Sequence, residues 1–148
     1  MIDINEVEII THCHATEDCN KVLQALRNLF PPDLRDEVSF KKQVLHGHYG
    51  NIITIFSTKL RGEQAYKIVK HLADSLPKTE KNLLRLTFDL RYDKRGNKLY
   101  LRLSKQDAFL GRLILYDSDD VIKMIISFRG NRKPDKILEY LKQLGLID

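Results

Sequence analysis

A chain of 148 residues, 43% hydrophobic and 30% charged, has the makeup of a folded protein, and its size suits one domain over 1–148. At this length roughly two-thirds of the unfolded surface is buried on folding, so neither a structural metal nor a disulfide framework is required. A net charge of +5 admits a polyanionic partner, while the lack of a membrane-length apolar run or a signal pattern in "MIDINEVEII" points to a cytoplasmic protein with no membrane partner.

Residues 6 to 13 alternate as a strand, with Val7, Ile9, Thr11 and Cys13 on one face and Glu8, Ile10, His12 and His14 on the other. Thr16 then reads as a helix N-cap, with Glu17 and Asp18 at the positive end of the dipole. That helix is expected to run to Phe30 and stop at Pro31-Pro32, burying Val22, Leu23, Leu26, Leu29 and Phe30, with Cys19 on the same stripe. The two cysteines are expected as free thiols. "SFKKQVLHGH" and "IITIFSTKL" read as a hairpin around "GHYGN". "GEQAYKIVKHLADSL" is a second helix closed by Pro77.

"LRLTFDLRYDKRGNKLYLRLS" alternates through two further strands joined by a Gly-Asn turn. Leu84, Leu86, Phe88, Leu90 and Tyr92 would form one apolar edge and Leu99, Leu101 and Leu103 the other. "GRLILYD" and "DVIKMIISFRG" complete a meander around the acidic turn "DSDD", and "KPDKILEYLKQLG" closes the chain as a helix. The order is βαββα, then a β-meander and a C-terminal helix. The fold class is α+β, with a mainly antiparallel sheet of about six to seven strands and helices packed on one face.

Three kinds of site compete. His12 and His14 share a strand side, and with His46 and His48 they would supply four imidazoles to a zinc. Against this, Cys13 faces away, Cys19 sits on a core stripe, and the spacing lacks a C-x-x-C or H-E-x-x-H pattern, so no metal and no cofactor is assigned. Asp117, Asp119 and Asp120 offer carboxylates for a magnesium-dependent nuclease, but acids between strands read first as a solvated turn, and no catalytic residue is assigned. Residues 78 to 112 hold ten basic against four acidic residues, a larger excess than that of the whole chain. On the expected sheet face Arg85, Arg91, Lys98 and Arg102 surround Tyr100, and Lys105, Gln106 and Arg112 follow directly. Such a face gives phosphate contacts and a stacking platform.

"HATED" followed by "KVLQALRNLFP", then "GHYGN", "GNKLYLRLSKQDAFLGRL" and "IKMIISFRG", resembles an archaeal family of RNA-binding proteins described as exosome-associated. The resemblance covers about Thr11 to Leu144. It implies a fold similar to the 5S-RNA-binding large-subunit ribosomal protein and to double-stranded-RNA-binding domains, with no known catalytic activity. It implies RNA and exosome subunits as partners, and carries His14, Thr16, Glu17 and Asp18, then Gly47, His48, Tyr49, Gly50 and Asn51, then Lys105, Gln106, Phe109, Gly111 and Arg112 as motif positions. The expected function is a non-catalytic RNA-binding accessory protein of RNA processing. It would use Arg85, Arg91, Lys98, Tyr100, Arg102, Lys105, Gln106, Arg112, His48, Tyr49, Asn51 and His14 on RNA. The competing reading is a protein–protein adaptor or homodimer that uses the same sheet face.

Overall fold

The computed structural model describes all 148 residues apart from the side chain of His48. Alternating apolar residues in "IDINEVEIITHCH" form β1 (Ile2–His14), and Val7, Ile9, Thr11 and Cys13 are buried along one face of it. The first helix, α1 (Cys19–Arg27), starts later and ends earlier than its apolar spacing suggests. Its N-cap is Asp18 and not Thr16: the Asp18 carboxylate accepts from the Asn20 backbone N–H at 2.9 Å. Beyond Arg27 the chain continues to Phe30 in single turns.

The hairpin forms as expected, from β2 (Lys41–His46) and β3 (Ile52–Arg61) around one 3-10 turn at His48–Gly50. Helix α2 (Gly62–Ser75) buries Ala65, Ile68, Val69 and Leu72. The next segment departs from expectation. Residues 84 to 92 do not form a strand; they lie in α3 (Lys78–Leu86) and α4 (Phe88–Arg91), leaving only a two-residue strand, β4 (Tyr92–Asp93). Pro77 ends α2 but also supplies the carbonyl that the Glu80 and Lys81 N–H groups bond, so it starts α3.

Strand β5 (Lys98–Leu103) follows, with Leu99, Leu101 and Leu103 buried, then the short helix α5 (Lys105–Phe109) capped by the Ser104 hydroxyl. "GRLILYD" does not form a strand either. Its only ladder contact is one antiparallel bridge, Leu103 to Leu115, and the Ser104 and Tyr116 N–H groups bond Ile114 and Arg102 carbonyls around it. The acidic turn therefore leads into a single strand, β6 (Ile122–Gly130). Helix α6 (Pro134–Leu144) ends on Gly145, whose φ of 86° is the left-handed conformation that closes a helix at least cost in glycine.

The six strands make one open antiparallel sheet in the order β2-β3-β1-β6-β5-β4. One face is core. Val7, Ile9, Phe56, Leu60, Leu99, Leu101, Met124 and Ile126 meet the apolar stripes of the helices there. Phe128 packs edge-on against Tyr140 of α6, and the Lys70 ammonium of α2 donates to the Leu144 carbonyl, so α2 and α6 share that side. Each large side chain so buried contributes about 1.5–3 kcal/mol. Among the described residues, no helix is long and apolar enough to cross a membrane.

The cysteines correct a further expectation. Cys13, on the core face of β1, and Cys19, at the start of α1, are joined in a disulfide across the strand-to-helix corner and are not free thiols.

Candidate nucleic-acid interface

The ladder registers define the face opposite the helices. Lys98, Ser127, Glu6 and Arg61 form one cross-strand row; Tyr100, Ile125, Glu8 and Lys59 form the next. Arg102, Lys123, Ile10, Ser57 and Lys41 form a third. Beyond them His12 lies beside Ile55 and Gln43, and His14 beside Ile53 and Leu45. Ile10, Ile53, Ile55 and Ile125 are half-buried, Tyr100 is 43% exposed, and no helix covers them. The face carries a half-buried apolar band with Lys41, Lys59, Lys98, Arg102 and Lys123 on the same rows, while Arg61 Nε donates to Glu6 Oε1 at 3.0 Å and Glu8 stands between Ile125 and Lys59.

The expected site residues do not all share this face. Lys98, Tyr100 and Arg102 stand together on β5, as their alternation requires. Arg85 is exposed on the last turn of α3, off the sheet. Arg91 is 8% exposed: its Nε donates to Thr87 Oγ1 at 2.8 Å, and its two terminal nitrogens face the Asp117 carboxylate at 3.3 Å each.

Lys105 is also enclosed. Its ammonium donates to the His12 carbonyl at 2.6 Å, to both Glu17 carboxylate oxygens at 3.1 and 3.3 Å, and to Asp120 Oδ1 at 2.5 Å. His14 completes the cluster, with Nε2 at 3.4 Å from Asp120 Oδ1 and its backbone N–H on Glu17 Oε1. The Lys105 hydrogen bond, with its charge and that of His14, holds the Asp120 carboxyl below the usual carboxylate value against the opposing effect of burial. His12 is pushed down by burial first, then by His14, Lys123 and Lys105. His14, Glu17 and Asp120 would form a three-ligand metal set by distance, but the Lys105 ammonium already supplies the cation between the two carboxylates.

The four-histidine arrangement does not form. His46 pairs with Ile52 while His14 pairs with Ile53, so His46 and His14 face opposite sides of the sheet. The side chain of His48 lies outside the described residues. Gln106 and Arg112 are exposed at either end of α5, and Arg112 pairs with Asp107 at 3.3 Å. Tyr49 and Asn51 are exposed at the β2–β3 tip, where Tyr49 has φ of 63°. The β1–α1 corner and the start of α5 meet through Lys105, and the hairpin tip lies at the same end of the sheet, just past the His14–Ile53 pair.

Residues the sequence reading missed are Lys41, Lys59, Arg61 and Lys123. Lys123 lies between buried Ile122 and Met124, and Lys59 and Arg61 flank buried Leu60, so part of the signal was present, but Lys41 sits on a strand exposed throughout and only the cross-strand register puts the four on one face with Lys98 and Arg102.

A family model described as "RNA binding" matches residues 6–128. Uncharacterized protein MJ0213 of Methanocaldococcus jannaschii is 33% identical, covering 96% of this chain and 99% of the relative. RNA-binding protein PAB1135 of Pyrococcus abyssi is 30% identical over 87% of this chain and 84% of its own length. The crystal structure of protein SSO0741 from Sulfolobus solfataricus superposes with a TM-score of 0.78 at 30% identity, covering 95% of this chain and 97% of that one.

Proposed function

This chain belongs to the RNA-binding family, and from that premise we propose that it holds RNA against the open face of its sheet as a non-catalytic accessory protein of RNA processing. The observation that carries the reading is the group of five cations, Lys41, Lys59, Lys98, Arg102 and Lys123, beside an apolar band that bears Tyr100, with Arg61 paired to Glu6 at its edge. Lys98, Arg102, Lys123, Lys41, Lys59 and Arg61 contact phosphates, and Tyr100 stacks on a base. Arg85, Gln106 and Arg112 extend the contact past β5, and His14, Tyr49 and Asn51 past the hairpin tip. His48 shares the tip's sequence block. Arg91 and Lys105 act behind this surface by fixing the segments that carry it. Exosome subunits are the protein partners of this reading, and the cytoplasm is its place.

The test is a titration with labelled single-stranded and hairpin RNA at several salt concentrations. Phosphate contacts release counterions, so affinity must fall steeply as salt rises. Salt-independent or absent binding to both RNAs sinks the proposal. Co-migration with a reconstituted archaeal exosome core in gel filtration tests the partner.

The half-buried isoleucines favour a second reading, a homodimer or adaptor closing on the same face. A solution mass of twice the chain, with no RNA binding, selects it.

A further inference from the structure

Between α1 and α5 a cleft of about 570 Å³ opens beside the end of the sheet face. Two aromatic rings line it and remain in water, Phe109 39% exposed and Tyr116 55% exposed. Both are anchored. The side-chain amide of Asn28, the C-cap of α1, donates to the Ala108 and Phe109 carbonyls at 2.8 and 3.2 Å, and the Tyr116 N–H donates to the Arg102 carbonyl at 3.0 Å. The second bond ties the cleft directly to a cation of the open face. Lys21 stands at the rim, its ammonium 5.8 Å from the centre of the Phe109 ring.

The polar lining is rich in acceptors. Lys105 is committed to Glu17 and Asp120, and Arg112 to Asp107. Asp18 uses Oδ1 for the Asn20 N–H and Asp107 uses Oδ1 for Arg112; among the described residues, the second oxygen of each accepts nothing. The Gln106 side chain makes no hydrogen bond among the described residues. A phosphate is repelled by such a lining. A base whose edge carries N–H donors is not.

The four RNA bases differ here. Uracil flanks its N3–H with two carbonyl oxygens, and adenine and cytosine each set one amino group beside a lone pair, so a carboxylate meets repulsion on all three. Guanine alone presents N1–H and N2–H side by side, which a single carboxylate accepts in bidentate fashion, its free oxygen taking one and the second lone pair of the oxygen already in use the other, while O6 takes an N–H from an amide such as that of Gln106.

We propose that this cleft takes the guanine base of a single-stranded RNA segment. The base stacks on Phe109 and Tyr116 and gives its donor edge to the carboxylates, while Lys21 and Arg102 hold the flanking phosphates outside. The proposal rests on the RNA reading and assigns that reading a preferred nucleotide.

The test uses fluorescein-labelled UUGUU, UUAUU, UUCUU and UUUUU, followed by anisotropy. The wild-type chain binds UUGUU about tenfold tighter than the other three, the discrimination one bidentate base contact supplies. Phe109→Ala with Tyr116→Ala brings all four to the UUUUU level and leaves the salt dependence in place. Asp18→Asn with Asp107→Asn removes the guanine preference, and Asn at position 18 keeps the helix cap. Equal, salt-dependent binding of the four by the wild type overturns the cleft assignment alone, as does a guanine preference that survives loss of both rings. No binding of any pentamer at any salt overturns the RNA reading with it. Should the ring variant fail to fold, ring-proton shifts of Phe109 and Tyr116 in the wild type decide. Guanosine moves them and adenosine does not if the proposal holds, and an equal response to both or none to either overturns it.

Discussion

Lys98, Arg102 and Lys123 on the open sheet face carry the same charge as Arg91 and Lys105 behind it, yet the fold uses the two groups in opposite ways. Arg102 and Lys123 are exposed and Lys98 half-exposed on alternate positions of β5 and β6, and none of the three is in an ion pair among the described residues. Arg91 and Lys105 are almost enclosed, with side chains 7% and 10% exposed, and each is satisfied by several acceptors. A basic residue in this sequence is therefore no guide to a binding role until its neighbours are known. Charge on the sheet is left open to solvent; Arg91 and Lys105 are spent on contacts within the chain.

The sharpest way to break the comparison is Lys105→Ala. It leaves Glu17 and Asp120 facing each other and the His12 carbonyl without its donor, and should cost about 3 kcal/mol. Thermal unfolding should then drop by about 10 °C. A shift within a degree would mean that Lys105 is as free as Lys98. Reduction of the Cys13–Cys19 bridge, which closes the same corner, comes next. Its short loop predicts about 2 kcal/mol, seen as a fall of about 5 °C on adding a thiol reductant. An unchanged melt would show that the Lys105 cluster holds the corner without the bridge.

Acid should act on the corner in two steps of the same sign. His12 is held below the ordinary histidine value of 6.5, so the unfolded chain takes up its proton first and stability falls as pH drops below 6.5. Asp120 is held below 3.8; the stability it lends is present above that value and is lost as pH falls through its lowered folded value. Melting between pH 8 and pH 3 should decline through both windows, and Asp120→Asn should erase the lower one.

The smallest change in stability belongs to the sheet. Replacing Lys98, Arg102 and Lys123 by Ala should leave stability within about 1 kcal/mol, the range of exposed substitutions. The slope of log affinity against log salt for single-stranded RNA should nevertheless fall by about 2, from three lost phosphate contacts. A large loss of stability with an unchanged slope would invert the comparison.

Much of this fold was legible. Alternation gave β1 and β5, the helical stripe gave α2 and α6, and Gly-Asn placed the turn before β5. Residues 84 to 92 misled because leucine is too frequent there. A period of two ran through Leu84, Leu86, Phe88, Leu90 and Tyr92, but the buried positions are Leu84, Phe88 and Arg91, a helical spacing whose third member is charged. An arginine satisfied by Asp117 is invisible to a hydrophobic pattern. The thiols were each placed on the core side correctly, and the missing step was that a strand end and the helix it feeds bring two inward side chains within bonding reach. The candidate site was half legible: β5 announces its own cations, but Lys41, Lys59 and Lys123 join them only through pairings that no local pattern encodes.

The place of β1 has a consequence for how the protein is made. This strand lies in the middle of the sheet, yet one of its neighbours is β6, and the Asp3–Arg129 ion pair across that ladder joins residues 126 positions apart. During synthesis β1 precedes β3 and can pair with it early, but its other edge stays open until β4, β5 and β6 have been made. Contacts of such high order are slow to close and leave an apolar strand exposed to wrong partners meanwhile. Gly130 makes that last closure exacting, because a Cβ there would lie 1.7 Å from the Met1 carbonyl oxygen. The β1–β6 ladder therefore closes late, and a nascent chain lacking β6 can pair β1 with β3 and β2 but leaves β5 unjoined to them.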